Sequence, residues 1–369
     1  MANTYLTRTF GSATSRTKFT VSVWLKKSTI NSADSNEKHF FNGYNSSNYR
    51  FMIYMTSSDQ LKIRNVDNGT ETVEYVSNAK YRDVNGWYHV VVRIDTSQGS
   101  GDRIRAYING EQITSWSTST EPSSGADFAL GTSSYSNILG SYAGTNHFWD
   151  GGMSHYHYCD GQSYAPTVFG LTDSTTGEWK INASPTVTYG NQGFFMFDDD
   201  SSLTDKSGNG NNFTVGGGTL TKTEDNPSNV FATMNPLNVP TSNPPTFSNG
   251  NTTTRTGTGS GTSDFGGSST LGMTSGKFYI EAKAQLDETY SRNNIGISGE
   301  ASQLANGNFA PTWGSASSSY CYNSENGQAY QNGSSASYGA TYTTGDIIGI
   351  AIDLDNNKLY FSKNGTWQN

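Results

Sequence analysis

The alternation of apolar and polar residues in positions 344–367 constrains the fold more than any other feature of this sequence. Ile348, Ile350 and Ile352 occupy every second position, which places their side chains on one face of a β-strand. An Asp-Asn-Asn turn follows, and an Asn-Gly pair then favours a two-residue hairpin, because these residues tolerate left-handed backbone conformations. The segment therefore predicts antiparallel strands joined by tight turns.

The same period of two recurs along most of the chain, and no long segment shows the 3.6-residue period of an amphipathic helix. Residues 18–30 and 86–95 both alternate in this way. The composition agrees, because 41 glycines supply turns while good helix formers such as Ala, Leu, Glu and Lys are sparse. We therefore predict an all-β fold built from antiparallel sandwiches.

The length of the chain and the distribution of proline predict two domains. A chain of 369 residues is longer than one small sandwich needs. Five of its nine prolines fall within residues 224–250, which are also rich in Asn and Ser, as is typical of a linker. We therefore predict a first domain over residues 1–223, a linker over 224–250 and a second domain over 251–369.

Charge and hydropathy exclude several classes of protein. The net charge is −8 and the isoelectric point is about 5.1, with no basic stripe, so we expect no nucleic-acid partner. No apolar run approaches the ~18 residues of a membrane span, so we expect no membrane insertion. Cys159 and Cys321 cannot form a disulfide framework by themselves. The first residues lack the apolar core of a signal peptide, so we expect the protein to stay in a cytoplasm or to leave it within a virus particle.

Three short motifs characterise the first domain. Trp-Tyr-His-Val stands at residues 87–90, Tyr-Ile-Asn-Gly stands at 107–110, and a segment rich in Tyr, His and Gly spans 149–170. Together they resemble the laminin-G-like domains of the concanavalin A-like lectin/glucanase superfamily, over about residues 18–215. This resemblance implies a jelly-roll sandwich of two antiparallel sheets.

The second domain carries a longer pattern, which starts at residues 276–281 and 294–297 and ends in the alternating segment at 344–367. Its characteristic positions are Gly345, Asp346, Gly349, Asp353, Phe361, Asn364 and Gly365. The pattern resembles the SPRY (B30.2-like) domain over residues 276–365. Because that family continues with further strands, the resemblance implies a second jelly-roll-like sandwich in tandem, incomplete at its C-terminus and with an unpaired sheet edge.

The order of the two modules along the chain also resembles that of a known class of proteins. A laminin-G-like module, the phrase at residues 226–237 and a SPRY-like module together resemble virion proteins of tailed bacteriophages, particularly those of marine and cyanobacterial hosts. This implies a non-enzymatic structural protein of the virion, such as a tail fibre, a spike or a head fibre or decoration protein. Its partners would be other virion proteins and host-surface glycans. The resemblance also implies a homo-oligomer, with a trimer favoured although coiled-coil heptads are absent.

No arrangement of catalytic residues stands out in the sequence. Glucanases of the superfamily carry Glu-x-Asp-x-x-Glu on one strand, and this spacing of carboxylates is absent here. The five histidines form no recognisable Ser/His/Asp or Cys/His arrangement. We therefore expect no enzymatic activity. Two alternatives stay open, a depolymerase of capsular polysaccharide and a bacterial surface adhesin.

Several aromatic residues lie in polar, loop-rich sequence, where exposed rings can stack on sugars or anchor a protein partner. The candidates for such glycan or partner binding are Trp116, Tyr135, Tyr142, His147 and Trp149. The sequence does not separate these two roles, and some of these side chains can equally belong to the core.

A polar, glycine-rich loop at residues 205–212 is a candidate calcium site. Asp205, Asn209 and Asn211 could supply the hard oxygen ligands that Ca²⁺ prefers. The alternative is an ordinary turn that satisfies its own hydrogen bonds. Nothing in the sequence requires a cofactor, and Ca²⁺ is the one candidate cofactor that we name.

A second candidate metal site lies in the sequence His-Tyr-His-Tyr-Cys. Strict alternation would place His155, His157 and Cys159 on one face of a strand. Imidazole and thiolate bind Zn²⁺ and copper, so these three residues are candidate ligands of a transition metal. The laminin-G-like resemblance implies that Tyr156 and Tyr158 point inward and the histidines outward. The alternative is therefore an exposed strand face or a subunit interface.

Overall fold

The computed structural model describes most of the chain. The described residues are 3–31, 35–198, 202–239, 244–255, 267–286, 293–299, 319–331 and 334–368. They fold almost entirely into strands and turns, which confirms the predicted all-β class. The chain divides into two compact units, Met1–Phe231 with Ser248–Thr252 and Ala232–Phe247 with Thr253–Asn369. No helix within the described ranges has both the length and the apolar character needed to cross a bilayer.

The first unit is a sandwich of antiparallel strands. Its strands are β1 (Tyr5–Thr9), β2 (Lys18–Lys27), β3 (Lys38–Ser46), β4 (Tyr49–Met55), β5 (Gln60–Asp67), β6 (Thr70–Lys80), β7 (Tyr88–Asp95), β8 (Ile104–Ile108), β9 (Glu111–Gln112), β10 (Trp116–Thr120), β11 (Ser136–Leu139), β12 (Gly151–Asp160), β13 (Gly170–Thr172), β14 (Trp179–Ile181), β15 (Phe194–Met196) and β16 (Thr214–Gly217). The larger sheet has the strand order β10-β6-β5-β4-β3-β11-β1-β16. The smaller sheet has the order β15-β12-β2-β7-β8-β9, and β13 pairs with β14 separately.

Strand β2 shows why the two sheets pack together. Phe19, Val21 and Leu25 alternate along one side of the strand and are buried in the core between the sheets. Phe19 packs edge to face against Phe51 of the larger sheet, with 5.4 Å between the ring centroids. Burial of one such side chain contributes about 1.5–3 kcal/mol, and an edge-to-face pair adds about 0.5–1.5 kcal/mol. The period of two in the sequence is therefore what builds this sandwich.

A third layer covers the outer side of the smaller sheet. It is formed by the chain between β12 and β15, which includes a short 3-10 helix (Pro166–Val168) as well as β13 and β14. Phe169 and Tyr189 of this layer belong to a cluster with Val91 and Cys159, whose side chains point away from the main core. The outer side of the smaller sheet is therefore buried.

A buried ion pair holds the end of the first unit in place. Lys26 Nζ lies 2.6 Å from Asp225 Oδ2, and the two side chains are 0% and 2% exposed. The indole N–H of Trp87 donates to the other oxygen of Asp225 at 3.3 Å. Residues 224–231 therefore pack into the first unit, although their composition suggested a linker over 224–250. Proline content indicates an irregular segment, but it does not indicate whether that segment is buried.

The second unit also consists of antiparallel strands. In the described residues these are β17 (Thr246–Ser248), β18 (Thr253–Arg255), β19 (Lys277–Lys283), β20 (Asn294–Ser298), β21 (Ser319–Asn323), β22 (Gln328–Gln331), β23 (Ser334–Ser337), β24 (Ile347–Asp353), β25 (Lys358–Lys363) and β26 (Thr366–Trp367). One four-stranded sheet has the order β19-β24-β25-β26 and another has β20-β21-β22-β23, while β17 pairs with β18.

The alternation at residues 344–367 forms antiparallel strands, as predicted. Ile348, Ile350 and Ile352 are buried together in the core of the second unit, against Phe361 of the next strand. They occupy one side of β24, as the period of two predicts. Strand β26 lies at one edge of its sheet.

Candidate functional site

A cleft opens on the solvent-facing side of the larger sheet of the first unit. In β4, Phe51 and Ile53 point into the core, so the alternate residues Arg50 and Tyr54 point to the opposite side. The antiparallel register then places His39 of β3 directly beside Tyr54. Polar and aromatic side chains from neighbouring strands therefore meet on this side of the sheet.

We name this cleft the His39 cleft. It has a volume of about 100 Å³ and is lined by Glu37, His39, Arg50, Met52, Tyr54, Arg64, Tyr142 and His147. Tyr142 and His147 lie in the chain that follows β11, and the other residues lie on β3, β4 and β5 or immediately before β3. The cleft is therefore assembled from segments that are far apart in sequence.

The imidazole of His39 lies at the centre of an aromatic cluster. It stacks on Tyr54 with 4.2 Å between the ring centroids and an interplanar angle of 7°. It also stacks on His147 at 5.7 Å, and it meets Tyr142 edge to face at 5.3 Å. Each aromatic contact of this kind contributes about 0.5–1.5 kcal/mol beyond the burial of area. The cluster therefore holds its rings in fixed positions before any ligand binds.

Hydrogen bonds fix the orientation of the His39 ring. The amide nitrogen of Asn42 donates to the carbonyl of Ser141, so the Asn42 oxygen accepts a hydrogen bond from Nδ1 of His39 at 3.1 Å. The other ring nitrogen, Nε2, lies 3.3 Å from Oε2 of Glu37. Burial opposes ionisation of Glu37, but the hydrogen bond and charge of His39 outweigh it and lower the pKa of the carboxyl. The cleft therefore holds an ionised carboxylate at neutral pH.

Two guanidinium groups border the cleft, and they are partnered differently. Arg64 Nη2 lies 2.6 Å from Glu71 Oε2, which compensates its charge. Arg50 donates to the carbonyl of Ser47, and within the described chain it forms no ion pair. The pKa of His147 is lowered by burial and by the nearby His39. The cleft thus combines a carboxylate, an available guanidinium and several rings.

This combination suits a polar ligand with a ring-shaped apolar face, such as a sugar. At about 100 Å³ the cleft is smaller than the roughly 300–1,000 Å³ of pockets that enclose a small molecule, so it admits one edge of a sugar ring. Hydrolysis of a glycosidic bond by the two-carboxylate mechanism needs a pair of such groups. Among the described lining residues, Glu37 is the single carboxylate.

Comparison with known families identifies both parts of the chain. Residues 2–161 match the laminin-G-type model of the concanavalin A-like lectin/glucanases superfamily. Residues 277–369 match the SPRY domain. The chain contains a concanavalin A-like domain followed by a SPRY domain. Both domain resemblances seen in the sequence are thereby confirmed.

Curated relatives match a short part of the chain. Ran-binding protein 9 of Danio rerio is 35% identical over 91 residues, which are 24% of this chain and 14% of that protein. Ran-binding protein 9 of Homo sapiens is also 35% identical over 91 residues, which are 12% of its length. The chain therefore spans a small fraction of the relatives it matches. Since these are Ran-binding proteins, the bacteriophage resemblance is not confirmed and stays a prediction.

Solved structures show distant likenesses. The SAP-like pentraxin of Limulus polyphemus has a TM-score of 0.35 and 14% identity, covering 59% of this chain and 90% of the pentraxin. The CBM40 of the Ruminococcus gnavus IT-sialidase, bound to α2,3 sialyllactose, has a TM-score of 0.28 and 12% identity, covering 42% and 89%. Scores this low say nothing about the ligand of the present chain.

The concanavalin A-like domain brings two of the five predicted aromatic binding residues together. Tyr142 and His147 both line the His39 cleft. Trp149 is instead buried in the core, so its assignment to a binding surface was wrong. Trp116 and Tyr135 pack against other aromatic rings outside the cleft. The five residues therefore do not form one site.

The sequence analysis missed Glu37, His39, Arg50 and Tyr54 as site residues. All of them lie on strands or beside one, where alternation indicates an outward direction but no function. A usable signal was present, since outward-pointing aromatic residues on adjacent strands pair across a sheet.

The predicted calcium loop is a turn that satisfies its own hydrogen bonds. Oδ1 of Asp205 accepts backbone N–H groups from Phe195 at 2.9 Å and Ser207 at 2.8 Å, and Oδ2 accepts the N–H of Asn211 at 2.9 Å. The side-chain amides of Asn209 and Asn211 donate to the carbonyl of Gly193 at 3.0 and 2.8 Å. Donors therefore occupy both oxygens of the Asp205 carboxylate, and the geometry matches the alternative to a calcium site.

The strict alternation assumed for the second metal site fails at His155. The register between β12 and β2 shifts between Ser154 and His157, and His155 has a φ of 45°, which together indicate a β-bulge. His157 and Cys159 do point away from the main core, but the third layer buries them. The expectation of an exposed strand face was therefore wrong, because a later segment covers it.

Burial also disfavours metal binding at this position. Burial lowers the pKa of His157 well below its usual value, and its Nδ1 is hydrogen-bonded to the hydroxyl of Tyr189 at 2.9 Å. Burial raises the pKa of the Cys159 thiol, whereas metal ligation requires the thiolate. Across the described ranges, no group of three or more His, Cys, Asp or Glu side chains is arranged to hold a metal ion. The predicted transition-metal site is therefore not formed.

Another histidine on the covered side, His89, has a structural environment. Its ring is stacked on Trp24 at 4.7 Å, and the Trp179 ring lies nearly parallel to it with 6.0 Å between the centroids. The indole N–H of Trp179 donates to Nδ1 at 2.9 Å, so Nε2 carries the proton and donates to the Ser22 hydroxyl at 2.9 Å. Burial, together with the charge of His155, lowers the pKa of His89 to about 3. His89 is therefore neutral in the folded domain.

Proposed function

We propose that the protein is a non-enzymatic binding protein whose concanavalin A-like domain recognises host-surface glycans through the His39 cleft. The observation that carries this proposal is the aromatic cluster around His39, whose partly exposed members Tyr142 and His147 line the cleft together with Glu37 and Arg50. The rings of Tyr142 and His147 would contact the apolar face of a sugar, while the carboxylate and guanidinium would bind hydroxyl groups. Because the cleft holds only one edge of a sugar, binding by a single copy is expected to be weak and to gain strength from multivalent display.

The finer part of the proposal places many copies of the chain in a bacteriophage virion, as a tail fibre, spike or head decoration protein. The resemblance of the module order to virion proteins supports it, and multivalent display supplies the avidity that a shallow cleft needs. Mass spectrometry of purified particles is expected to recover the chain at stoichiometric copy number. Its absence from the particles would contradict the virion assignment and leave glycan binding to be judged separately.

Replacing Tyr142 with alanine tests the cleft itself. Tyr142 lines the cleft from the loop side, so its ring is removed without emptying the main core. On an array of host-surface polysaccharides, the affinity of Y142A is expected to fall about tenfold, which corresponds to roughly 1.4 kcal/mol.

The matched control is Tyr135→Ala, because Tyr135 is also a partly buried tyrosine of the same domain but lies outside the cleft. Y135A is expected to bind like the unmodified protein. Glycan binding that is lost equally in both variants, or retained equally in both, would contradict a site at the His39 cleft.

A further inference from the structure

A second and larger cleft lies at the β1–β16 edge of the larger sheet. Strand β16 begins at Thr214, which pairs with Thr7 of β1, so the chain before Thr214 diverges from the remainder of β1. The resulting cleft has a volume of about 420 Å³. Its lining consists of Thr7, Arg8, Thr9, Gly210, Asn211, Asn212 and Thr214. We name it the Arg8 cleft.

Arg8 is held in this cleft by aromatic rings. Its guanidinium carbon lies 5.2 Å from the ring centroid of Phe10, 5.7 Å from that of Phe194 and 5.5 Å from that of Phe213. Nη2 donates to the backbone carbonyl of Gln192 at 2.6 Å and to its side-chain oxygen at 3.3 Å. These contacts orient the guanidinium but do not neutralise its charge.

The charge of Arg8 has no direct counter-ion in the described chain. Its hydrogen bonds there all run through Nη2, and Nε is buried without an acceptor. Burial lowers the pKa of Arg8 to about 10, while Tyr158, Asp205 and Asp160 oppose that shift from a distance. A guanidinium at that pKa is still charged at neutral pH, and a buried or half-buried charge normally has a paired anion. The cleft therefore provides a cation that a ligand can neutralise.

The loop at residues 205–212, which is held by its own hydrogen bonds, gives the cleft a rigid wall. Asn211 is tied through its backbone N–H to Asp205 at 2.9 Å and through its side-chain amide to the carbonyl of Gly193 at 2.8 Å. Gln192, which orients Arg8, precedes Gly193 directly. The guanidinium and the opposite wall of the cleft are thus fixed to the same short segment, which lowers the entropic cost of binding a ligand between them.

We propose that the Arg8 cleft binds a carboxylate-bearing saccharide, with the Arg8 guanidinium as the anion contact. The carboxylate matches the unpaired cation, since arginine pairs with carboxylates through parallel hydrogen bonds. The exposed Thr9 and the other threonine and asparagine residues give the lining a polar character, which matches a ligand rich in hydroxyl groups. The volume lies within the roughly 300–1,000 Å³ of small-molecule sites, so the cleft has room for a sugar unit. This site is separate from the His39 cleft and does not depend on it.

Calorimetric titration of the full chain with trigalacturonate, and with its fully methyl-esterified form, tests the proposal. The two probes share their sugar rings and differ in the charge of the carboxyl groups. Trigalacturonate is expected to bind at least about tenfold more tightly than the ester, because the ester cannot neutralise Arg8. Equal affinities for the acid and the ester would overturn the proposal.

Two variants locate the binding. Arg8→Lys keeps a positive charge but loses the guanidinium fork, and the affinity for trigalacturonate is expected to fall about tenfold. Thr9→Val removes an exposed hydroxyl of the lining while keeping a good strand former, so the domain is expected to stay folded and to bind several-fold more weakly. The matched control, Arg105→Lys, changes an arginine on β8 that pairs with Asp102, and it is expected to bind normally. Unchanged affinity in both R8K and T9V would overturn the proposal.

Two further experiments distinguish saccharide binding at the Arg8 cleft from binding of a free anion and from binding at the His39 cleft. Sodium sulfate at the concentration of the saccharide is expected not to compete, and full competition would show a site for free inorganic anions and overturn a saccharide site. The Tyr142→Ala variant is expected to bind trigalacturonate normally, so failure of the His39 cleft as a glycan site leaves this result unaffected. Loss of trigalacturonate binding in Y142A would place the binding elsewhere and overturn the proposal.

Discussion

The two sheets of the concanavalin A-like domain carry histidines on their outer sides, but the two sides have different surroundings. On the larger sheet, His39 is 1% exposed, but it lines an open cleft beside the partly exposed Glu37. On the smaller sheet, His89 and His157 are buried beneath a third layer of chain. The position of a residue on a strand therefore does not decide its role. The segment that folds over the strand decides it.

The largest expected difference in stability is between substitutions in two ion pairs, one from each side. Lys26 and Asp225 are 0% and 2% exposed on the covered side, whereas Lys62 and Glu74 are 17% and 29% exposed on the open side, although both pairs are 2.6 Å apart. Asp225→Ala leaves the Lys26 ammonium buried without its partner and is expected to cost about 3–5 kcal/mol. Glu74→Ala leaves a hydrated lysine and is expected to cost about 0–1 kcal/mol.

Urea unfolding of both variants measures this difference. The contrast between the two sides would be broken if the two substitutions lowered the free energy of unfolding by similar amounts. A large loss for E74A would show that the open side is more important for stability than its exposure suggests.

A smaller loss of stability is expected when the pH is lowered. Folded His89 takes up a proton at a pKa of about 3, whereas a histidine in the unfolded chain does so near the reference value of about 6.5. Between these values the unfolded chain binds more protons, so stability is complete above pH ~6.5 and falls as the pH decreases towards 3. The expected slope is at most about 1.4 kcal/mol per pH unit for this histidine. His157, whose pKa is also lowered, adds to the loss.

Unfolding free energies of the unmodified protein and His89→Gln between pH 7 and pH 4 test this expectation. Glutamine retains a donor and an acceptor but does not titrate. The variant is expected to be less stable at pH 7 and to show a shallower decline with acid. Equal slopes for both proteins would mean that the covered side does not hold its histidines neutral.

Strands were predictable from the sequence because their period depends on residues that are close together. The alternation of Ile348, Ile350 and Ile352 required only one sheet face to be buried, and that condition holds. The same reasoning failed at His155, because a bulge inserts a residue without leaving a distinctive sequence signal. It also failed at His157, since the covering layer comes from a later segment of the chain.

The candidate site was predictable only in part. Tyr142 and His147 were identified because they lie in polar, loop-rich sequence, where a ring can contact a ligand, whereas Glu37 and Tyr54 join them only through the pairing of distant strands. The loop containing Asp205 shows a different limit. A carboxylate that binds a cation and one that accepts backbone N–H groups require the same residue types, and three-dimensional geometry alone distinguishes them.

The position of His89 between Trp24 and Trp179 limits which residues can replace it during evolution. The site requires a flat neutral ring with a hydrogen-bond donor and an acceptor on two separate ring atoms, and histidine is the one standard side chain that supplies both. Position 89 therefore has little freedom to vary. Among the residues that line the His39 cleft, Glu37, Arg50, Tyr142 and His147 are partly exposed, so descendants of this protein can exchange these four at smaller cost in stability than the buried His39 and Tyr54. Selection can thus alter what the domain attaches to while the layer around His89 stays the same.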